Sequence, residues 1–326
     1  MSEIIDTFLH LGKRLNQIGE NHEIVNNAYL ANPWFLPKNI LLAIKGIRSF
    51  LEPNALIPWM DPYDATSTPR RIGIVMAGNL PLVGFHDLLC VLLSGHKAIV
   101  KLSHQDSVLM GYIINEIKAI NPLLDDFIVI KERLTDIDAV LATGSDNTSR
   151  YFEYYFRDIP KIIRKNRTSV AILTGDETPD EHYGLGHDLF DYFGMGCRNV
   201  SKVFIPKNYD IRTVFPSIQS FAPMVEHHKY RNNYEYNKVI YLLQQIEHYD
   251  TGFNLWKMDS GLVSPLSVIF YGEYDDISSL SQYLTVNASK IQCIIGHGNI
   301  SFGKAQHPKV DDYADGINTM DFLVKL

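Results

Sequence analysis

The sequence predicts an α/β protein in which a doubly wound parallel sheet is followed by a second α/β domain. Short apolar runs bounded by loops recur along residues 72–173, as expected of strands buried on both faces of a parallel sheet. Segments with helical spacing of apolar residues separate these runs. Strands and helices that alternate with short connections are typical of a parallel sheet covered by helices.

Residues 1–71 precede the sheet and are predicted to be mainly helical. Ile4, Phe8, Leu11 and Leu15 recur at three- and four-residue intervals, which indicates an amphipathic helix within residues 1 to about 30. A second such helix is predicted over 40–51. Four prolines within 52–71 predict a connector without regular structure.

The sheet itself is predicted from five apolar runs and the helices between them. The strands are expected at 72–76, 98–101, 127–130, 139–142 and 169–173. Gly95 is expected to end the first crossover helix, and the basic run 164–167 to be a solvated loop. Ligands of such sheets bind beyond the carboxyl ends of the strands. Asn79, Lys101 and the segment 143–145 follow or end three of these strands.

The acidic segment 176–181 predicts a hinge into the second domain. We therefore expect the N-terminal helices and a nucleotide-binding domain in 1–175 and a catalytic domain in 176–300. A tail, 301–326, is expected to return to the first domain. The second domain is predicted to contain helices near 211–221, 234–245 and 277–284 and strands at 202–206, 266–271 and 291–295.

Composition limits the classes of function. A formal charge of -7 and the lack of a long basic block argue against a nucleic-acid surface. The three cysteines are widely spaced and odd in number, so they predict neither a disulfide framework nor a zinc site. No secretory signal or membrane-spanning run is recognisable. We expect a cytoplasmic protein without a metal, whose oligomeric state is open, with a homo-oligomer as one alternative.

Cys197 is the candidate nucleophile. It follows two glycines and precedes Arg198 in the segment YFGMGCRNVSK at 192–202. Glycines allow a substrate to approach the sulfur, and a neighbouring cation favours the thiolate. The alternative is a small buried hydrophobic residue beside an ordinary turn. Whether Arg198 faces the sulfur is not decided by the sequence.

Other motifs are absent or weak. No Gly-x-Gly-x-x-Gly follows the first predicted strand, and the glycines at 184 and 186 lack a preceding strand. A hydrolase triad made of Ser103, His104 and Asp106 is disfavoured, because adjacent polar loop residues are usually solvated.

Four ordered segments resemble the aldehyde dehydrogenase superfamily: IVMAGNLP at 74–81, SGHKAIVKLS at 94–103, ATGS at 142–145 and the segment around Cys197. Within that superfamily the chain is most similar to acyl-CoA reductases of the LuxC type. The segments GNLPLVGFHD at 78–87, GCRNVSK at 196–202, FGKAQ at 302–306 and DYADG at 312–316 carry this likeness.

The resemblance implies an aldehyde-dehydrogenase-like fold and a role for each matching residue. Cys197 would take the acyl group from coenzyme A as a thioester, and Asn79 would help to hold the oxyanion. The cofactor would be met by Lys101, Ser103, His104, Thr143, Gly144 and Ser145.

Departures from the superfamily pattern refine this expectation. The glutamate that activates water in hydrolytic members has no counterpart in AILTG at 171–175, which favours a thioester that survives water. His104 stands where NAD-preferring members have a glutamate, which favours NADPH. The ribose-binding glutamate of a third motif is missing from GLVSP at 261–265.

The sequence therefore predicts NADPH-dependent reduction of a fatty acyl-CoA to its aldehyde, with the acyl-CoA as small-molecule partner and no metal. Two alternatives are a Cys197-dependent acyltransferase or thioesterase without redox chemistry and a non-catalytic member of the fold.

Overall fold

The chain divides into two compact units. A computed structural model describes residues 2–326, apart from the side chain of Asp146. The first unit comprises the chain up to Asn166 together with Pro308–Leu326, and the second comprises Arg167–His307. Within the described residues, no helix combines the length and apolarity that crossing a bilayer requires.

Four helices open the first unit: α1 (Ser2–Leu15), α2 (Glu23–Ala31), α3 (Pro37–Phe50) and α4 (Pro53–Met60). Helix α1 buries Phe8, Leu11 and Leu15 along one stripe, as its periodicity predicts. The helical region before residue 31 is two helices, because the chain turns between α1 and α2. The prediction of an irregular connector over 52–71 is wrong for α4: Pro53 occupies the first turn of a helix, where its missing N–H costs nothing.

The first sheet has five parallel strands in the order β3-β2-β1-β4-β5. These are β1 (Arg71–Val75), β2 (Lys97–Lys101), β3 (Ile128–Ile130), β4 (Ala139–Thr143) and β5 (Lys161–Arg164). The unit also contains α5 (Phe85–Leu93), α6 (Ser107–Ile120), α7 (Asp146–Tyr155) and α12 (Thr319–Leu323). Gly95 follows α5 with φ +84°, as expected of a helix stop.

Strand β5 replaces part of the loop expected at 164–167. Arg164 is only 5% exposed, and its guanidinium donates to Asp87 at 2.6 Å and to the hydroxyl of Thr319 at 2.9 Å. Asp87 lies on α5 and Thr319 on the returning tail. The basic residues suggested solvent exposure, but a buried cation is tolerated when carboxylate and hydroxyl partners surround it.

The second sheet has the order β11-β6-β7-β10-β9-β8, and only β8 runs antiparallel to its neighbour. Its strands are β6 (Thr168–Ile172), β7 (Val200–Pro206), β8 (Tyr249–Asp250), β9 (Leu255–Met258), β10 (Val268–Tyr274) and β11 (Ile291–Ile295). Its helices are α8 (Pro179–Phe190), α9 (Phe215–Ile218), α10 (His228–Leu243) and α11 (Ile277–Val286). Shorter 3₁₀ segments lie at His104–Asp106, Pro122–Asp126, Asp191–Gly194, Ile211–Val214, Gln219–Glu226, Ala288–Lys290 and Ala314–Gly316.

The chain changes unit earlier than the predicted boundary at residue 175. Strand β6, expected at the end of the first sheet, pairs with β7 and β11 instead. A buried apolar strand has no feature in its own sequence that says which sheet it joins, because pairing depends on the strands that follow.

Candidate active site

The predicted cofactor residues lie together at the carboxyl edge of the first sheet. Lys101 and Thr143 end β2 and β4, and Asn79 follows β1. Because β2, β1 and β4 are neighbours, their ends form one surface. We call it the strand-end surface; its residues are Asn79, Lys101, Ser103, His104, Thr143, Gly144 and Ser145. The chain order reverses at β1 and β4, where sheets of this order bind ligands.

A buried carboxyl fixes the loop that carries Asn79. Asp106 is 2% exposed, and its Oδ2 accepts the Leu82 N–H at 2.7 Å. Gly78 of this loop lies against Ser103 so closely that a side chain would collide with it. Burial raises the pKa of Asp106 to about 8. The carboxyl is therefore mainly neutral at pH 7 and adds little negative charge beneath the exposed Lys101 and His104.

The end of β4 leads directly into α7. The Ser145 hydroxyl accepts the Thr148 N–H at 3.3 Å and so caps this helix. A Cβ at Gly144 would lie 3.0 Å from side-chain atoms of both Thr148 and Phe152. Gly144 thus lets α7 pack closely on β4. The exposed N-terminus of α7 faces the strand-end surface with the partial positive charge that favours a phosphate.

Cys197 is the exposed cysteine of the three, whereas Cys90 and Cys293 are buried. It belongs to the segment 191–199 between α8 and β7, here called the cysteine loop. Ser169 Oγ donates to the Cys197 carbonyl at 2.9 Å. The buried alternative for Cys197 is therefore wrong.

Asn199 holds the cysteine loop from inside. Its side chain is 2% exposed; Oδ1 accepts the Gly196 N–H at 2.8 Å, and Nδ2 donates to the carbonyls of Asp188 and Asp191. These bonds connect both sides of Cys197 to the end of α8. Such a network fixes the backbone around a nucleophile before substrate binds.

The backbone that enters the loop is strained. Tyr192, Phe193 and Gly194 all have left-handed conformations, with φ of 54°, 61° and 76°. Left-handed non-glycine residues cost about 1 to 3 kcal/mol each and cluster at functional sites. The Phe193 ring packs against Tyr230 and His227, with centroids 5.8 and 4.7 Å apart, which compensates for the strain.

A later segment supports the same loop. The Asp188 carboxylate accepts the N–H groups of Gly303 and Ala305 at 2.7 and 2.9 Å, and Arg198 Nε donates to the Ala305 carbonyl at 2.6 Å. Burial raises the pKa of Asp188 to about 6. Arg198 is thus a structural tie to the FGKAQ segment. Gly184 serves the same contact, because the backbone of Gly303 crosses it.

The segment 171–175, whose counterpart in hydrolytic enzymes carries the water-activating glutamate, lies away from the cysteine loop. Ile172 is buried at the far end of β6, whereas Ser169, near the start of that strand, contacts the cysteine loop. Three residues of extended strand separate them by about 10 Å. The nearby carboxylates have other partners: Asp188 binds the two amides named above, and Asp191 binds His187 at 3.1 Å.

Strand β7 holds the segment 261–265 and the residues just before it. Ser201 Oγ donates to the Leu262 carbonyl at 2.6 Å, and the buried Lys202 ammonium donates to the Asp259 carbonyl. Burial lowers the pKa of Lys202 to about 8. Asp259, the acidic residue nearest this segment in sequence, is paired with Lys257 at 2.6 Å. In the described part of the chain, no three potential metal-ligating side chains come together.

Sequence reasoning missed Ser169 and Asp188, and its expectation of a solvated Asp106 is wrong, because this carboxyl is buried against the Leu82 amide. Ser169 is distant from Cys197 in the chain, and the Asp188 carboxylate binds the distant Gly303 and Ala305 amides, so no local pattern marks either residue. Asn199 lies inside the GCRNVSK motif, but the motif does not predict its hydrogen bonds to the backbone of the cysteine loop.

The fold is that of the aldehyde dehydrogenases, and the predicted fold class is confirmed. An NAD+ complex of aldehyde dehydrogenase from Bacillus cereus has a TM-score of 0.65 at 14% identity, over 95% of this chain and 74% of that one. An indole-3-acetaldehyde dehydrogenase with NAD+ has a TM-score of 0.67 at 11% identity, covering 93% and 73%. A Pseudomonas syringae aldehyde dehydrogenase C variant with NAD+ and octanal gives 0.64 at 11%, covering 90% and 71%.

These identities establish the fold alone. No protein-family model matches the chain, and no curated protein sequence does so either.

Proposed function

We propose that the protein reduces an acyl-CoA thioester to the aldehyde through an acyl group carried on Cys197, with NADPH as cofactor. The main observation in support is that Cys197 is exposed on a loop that Asn199 and Ser169 hold in place. An exposed cysteine in a strained, hydrogen-bonded loop is typical of a nucleophile, whereas structural cysteines are buried.

The proposed covalent step uses groups of the cysteine loop. The Cys197 thiolate attacks the thioester carbonyl, a carbon–sulfur bond forms, and the bond to the coenzyme A sulfur breaks, so that coenzyme A leaves as a thiolate, which takes up a proton from water. The resemblance assigns stabilisation of the oxyanion to Asn79, whose exposed position after β1 is compatible with binding a ligand. Because Asp188 and Asp191 have other partners, neither is placed to serve as a free base toward water.

The residues of the first unit fit a dinucleotide. The strand order supplies a binding edge, α7 offers its N-terminus, and Lys101, His104 and Ser145 are exposed there. NADPH supplies a hydride when bound. The contribution of this chain is to bind and orient it.

The charge at the end of β2 favours a 2′-phosphate. Lys101 and His104 are exposed, and Asp106, the acidic residue within 101–107, is buried and mainly neutral at pH 7. No carboxylate of that segment repels a phosphate. This supports NADPH over NADH.

The proposal is tested by incubating the protein with a set of acyl-CoAs without cofactor and measuring the intact mass. We expect one acyl addition, mapped to Cys197, and NADPH oxidation when cofactor is added. A protein that is neither acylated nor oxidises NADPH with any acyl-CoA would contradict the proposal.

A second candidate is acyl transfer without redox chemistry. It is favoured because two residues that could contact a cofactor have structural partners instead. Gly144 packs against α7, and Asp259 is paired with Lys257. Titration calorimetry separates the candidates. Micromolar NADPH binding supports the reductase, whereas acyl-CoA turnover without any NADPH binding supports the transferase.

A further inference from the structure

Two lysines lie side by side where neighbouring strands of the first sheet end. Lys101 is the last residue of β2, and Lys131 directly follows β3. These strands run parallel with Val100 opposite Ile130, and the Lys131 N–H donates to the Val100 carbonyl at 2.8 Å. The pairing therefore continues by one residue and places Lys131 opposite Lys101, with their Cα atoms about 4.8 Å apart.

Both lysines lie on the same face of the sheet. Residues opposite each other in neighbouring strands point to one side, and that side alternates along each strand. Ala98, Val100 and Ile128 belong to the core that packs on α5 and α6, so the face of these three residues is covered. Lys101 and Lys131 lie on the other face at the carboxyl edge, where Lys101 is exposed and Lys131 is half-buried.

Neither lysine has a counter-charge. Within the described residues, neither side chain forms an ion pair or a hydrogen bond. Arg164, which ends β5 in the same sheet, differs, because Asp87 neutralises it at 2.6 Å. Of the acidic residues nearest in sequence, Asp106 is buried and Glu132 is exposed. Two like charges on adjacent strand ends repel each other, and an anion bound between them would remove this repulsion.

A phosphomonoester suits this pair of cations. At pH 7 it carries nearly two negative charges and three acceptor oxygens, so each ammonium group can bind a different oxygen. Helix α6 begins at the same edge, and its N-cap residue, Asp106, makes no capping hydrogen bond. The positive end of this helix adds to the attraction for an anion. In doubly wound sheets that bind dinucleotides, a cation near a strand end accommodates a ribose phosphate.

We propose that Lys131, together with Lys101, binds the phosphomonoester on the adenosine ribose of a ligand and that Lys131 determines the preference for this phosphate. This role presupposes the proposed function, in which two ligands carry such a group: NADPH on the 2′ oxygen and coenzyme A on the 3′ oxygen. The family resemblance pointed to Lys101 alone. The role of Lys131 follows from the strand register.

The test measures the affinity of the full chain for adenosine 2′,5′-bisphosphate, adenosine 3′,5′-bisphosphate and 5′-AMP by titration calorimetry. The three probes differ only in the ribose phosphate, and their binding requires no acyl group on Cys197. We expect one bisphosphate to bind about 10- to 100-fold more tightly than 5′-AMP, because charge-assisted hydrogen bonds are gained. Preference for the 2′ isomer identifies NADPH as the source of the phosphate, and preference for the 3′ isomer identifies coenzyme A.

Variants of Lys131 test its role directly. Lys131→Gln should lower the bisphosphate preference by about tenfold and keep the affinity for 5′-AMP within about twofold of wild type. Lys131→Arg retains the charge and should keep most of the preference. Lys97→Gln is the matched control, because it removes the same charge from the opposite end of β2, about 13 Å from Lys101. It should leave the preference unchanged.

The outcomes separate the phosphate site from the proposed function. Equal affinity for 5′-AMP and both bisphosphates would overturn the phosphate site and leave acylation of Cys197, which is measured without cofactor, unaffected. A preference that survives Lys131→Gln would overturn the role of Lys131. Absent acylation together with a preference that depends on Lys131 would overturn the proposed function and support the phosphate site.

Discussion

The strand-end surface and the cysteine loop present their predicted functional side chains in opposite ways. On the first sheet, Asn79, Lys101 and Thr143 occupy the positions where neighbouring parallel strands end. In the second unit, Cys197 precedes its strand, and its loop is held by the side chains of Ser169, which is distant in the chain, and of Asn199. The geometry of the first region follows from topology, and that of the second from specific buried hydrogen bonds.

The difference is illustrated by two asparagines. Asn79 is exposed on a loop whose position is set by Gly78 and by the Leu82–Asp106 bond. Asn199 is buried and supports three backbone groups around Cys197. The first can matter for chemistry with little effect on folding, whereas the second must affect both.

The largest expected effect is that of Cys197→Ser. We expect the rate of acyl-CoA reduction to fall by about 10³-fold or more, because the nucleophile is lost. Stability should not change, because the side chain is exposed. Cys90→Ala is the matched control. It should retain activity and lose about 1 to 2 kcal/mol of unfolding free energy through a buried cavity. Steady-state rates and urea unfolding check both variants.

Arg164→Met tests the buried ion pair between Arg164 and Asp87 in the first unit. It leaves the Asp87 carboxylate buried opposite an apolar side chain, so the free energy of unfolding should fall by about 3 to 5 kcal/mol. The double variant with Asp87→Leu should recover much of this loss. If the single variant unfolds like the wild type in urea, the buried pair is not needed.

Asn199→Ala tests the cysteine loop. The loss of three hydrogen bonds should cost about 2 to 3 kcal/mol of stability and slow Cys197 acylation at least tenfold. Asn79→Ala should slow acylation by about 10²-fold with stability within about 0.5 kcal/mol of wild type. Equal stability losses in the two variants would remove the contrast between the two regions.

Asp106→Asn changes the pH dependence of stability. The folded pKa of about 8 lies above the usual 3.8, so the native state retains a proton that the unfolded chain releases between these values. Wild-type stability therefore falls as pH rises through this window. From pH 5 to pH 7 the variant should gain about 2 to 3 kcal/mol relative to the wild type. Urea unfolding of both proteins at pH 5 and pH 7 measures this difference. An equal stability difference at the two pH values would contradict the buried neutral carboxyl.

The sequence was sufficient where local periodicity and topology decide the outcome. The parallel strands, the position of Asn79, Lys101 and Thr143 at strand ends, and the helix stop at Gly95 follow from apolar runs and glycine chemistry. It was insufficient where distant residues decide. The sequence around Arg164 predicts a solvated side chain, because the partner Asp87 is distant in the chain. The sequence of β6 is compatible with either sheet. The left-handed backbone at Tyr192 and Phe193 could not be predicted, because neither residue is a glycine.

The proposed function requires that Cys197 carry an acyl group that is then reduced. The most direct measurement is a single-turnover chase. The protein is acylated by an acyl-CoA without cofactor, freed of excess thioester by gel filtration, and mixed with NADPH. We expect one equivalent of aldehyde and loss of the acyl mass from Cys197, at a rate that NADH does not match. A stable acyl mass in NADPH, or release only of the free acid, would contradict it.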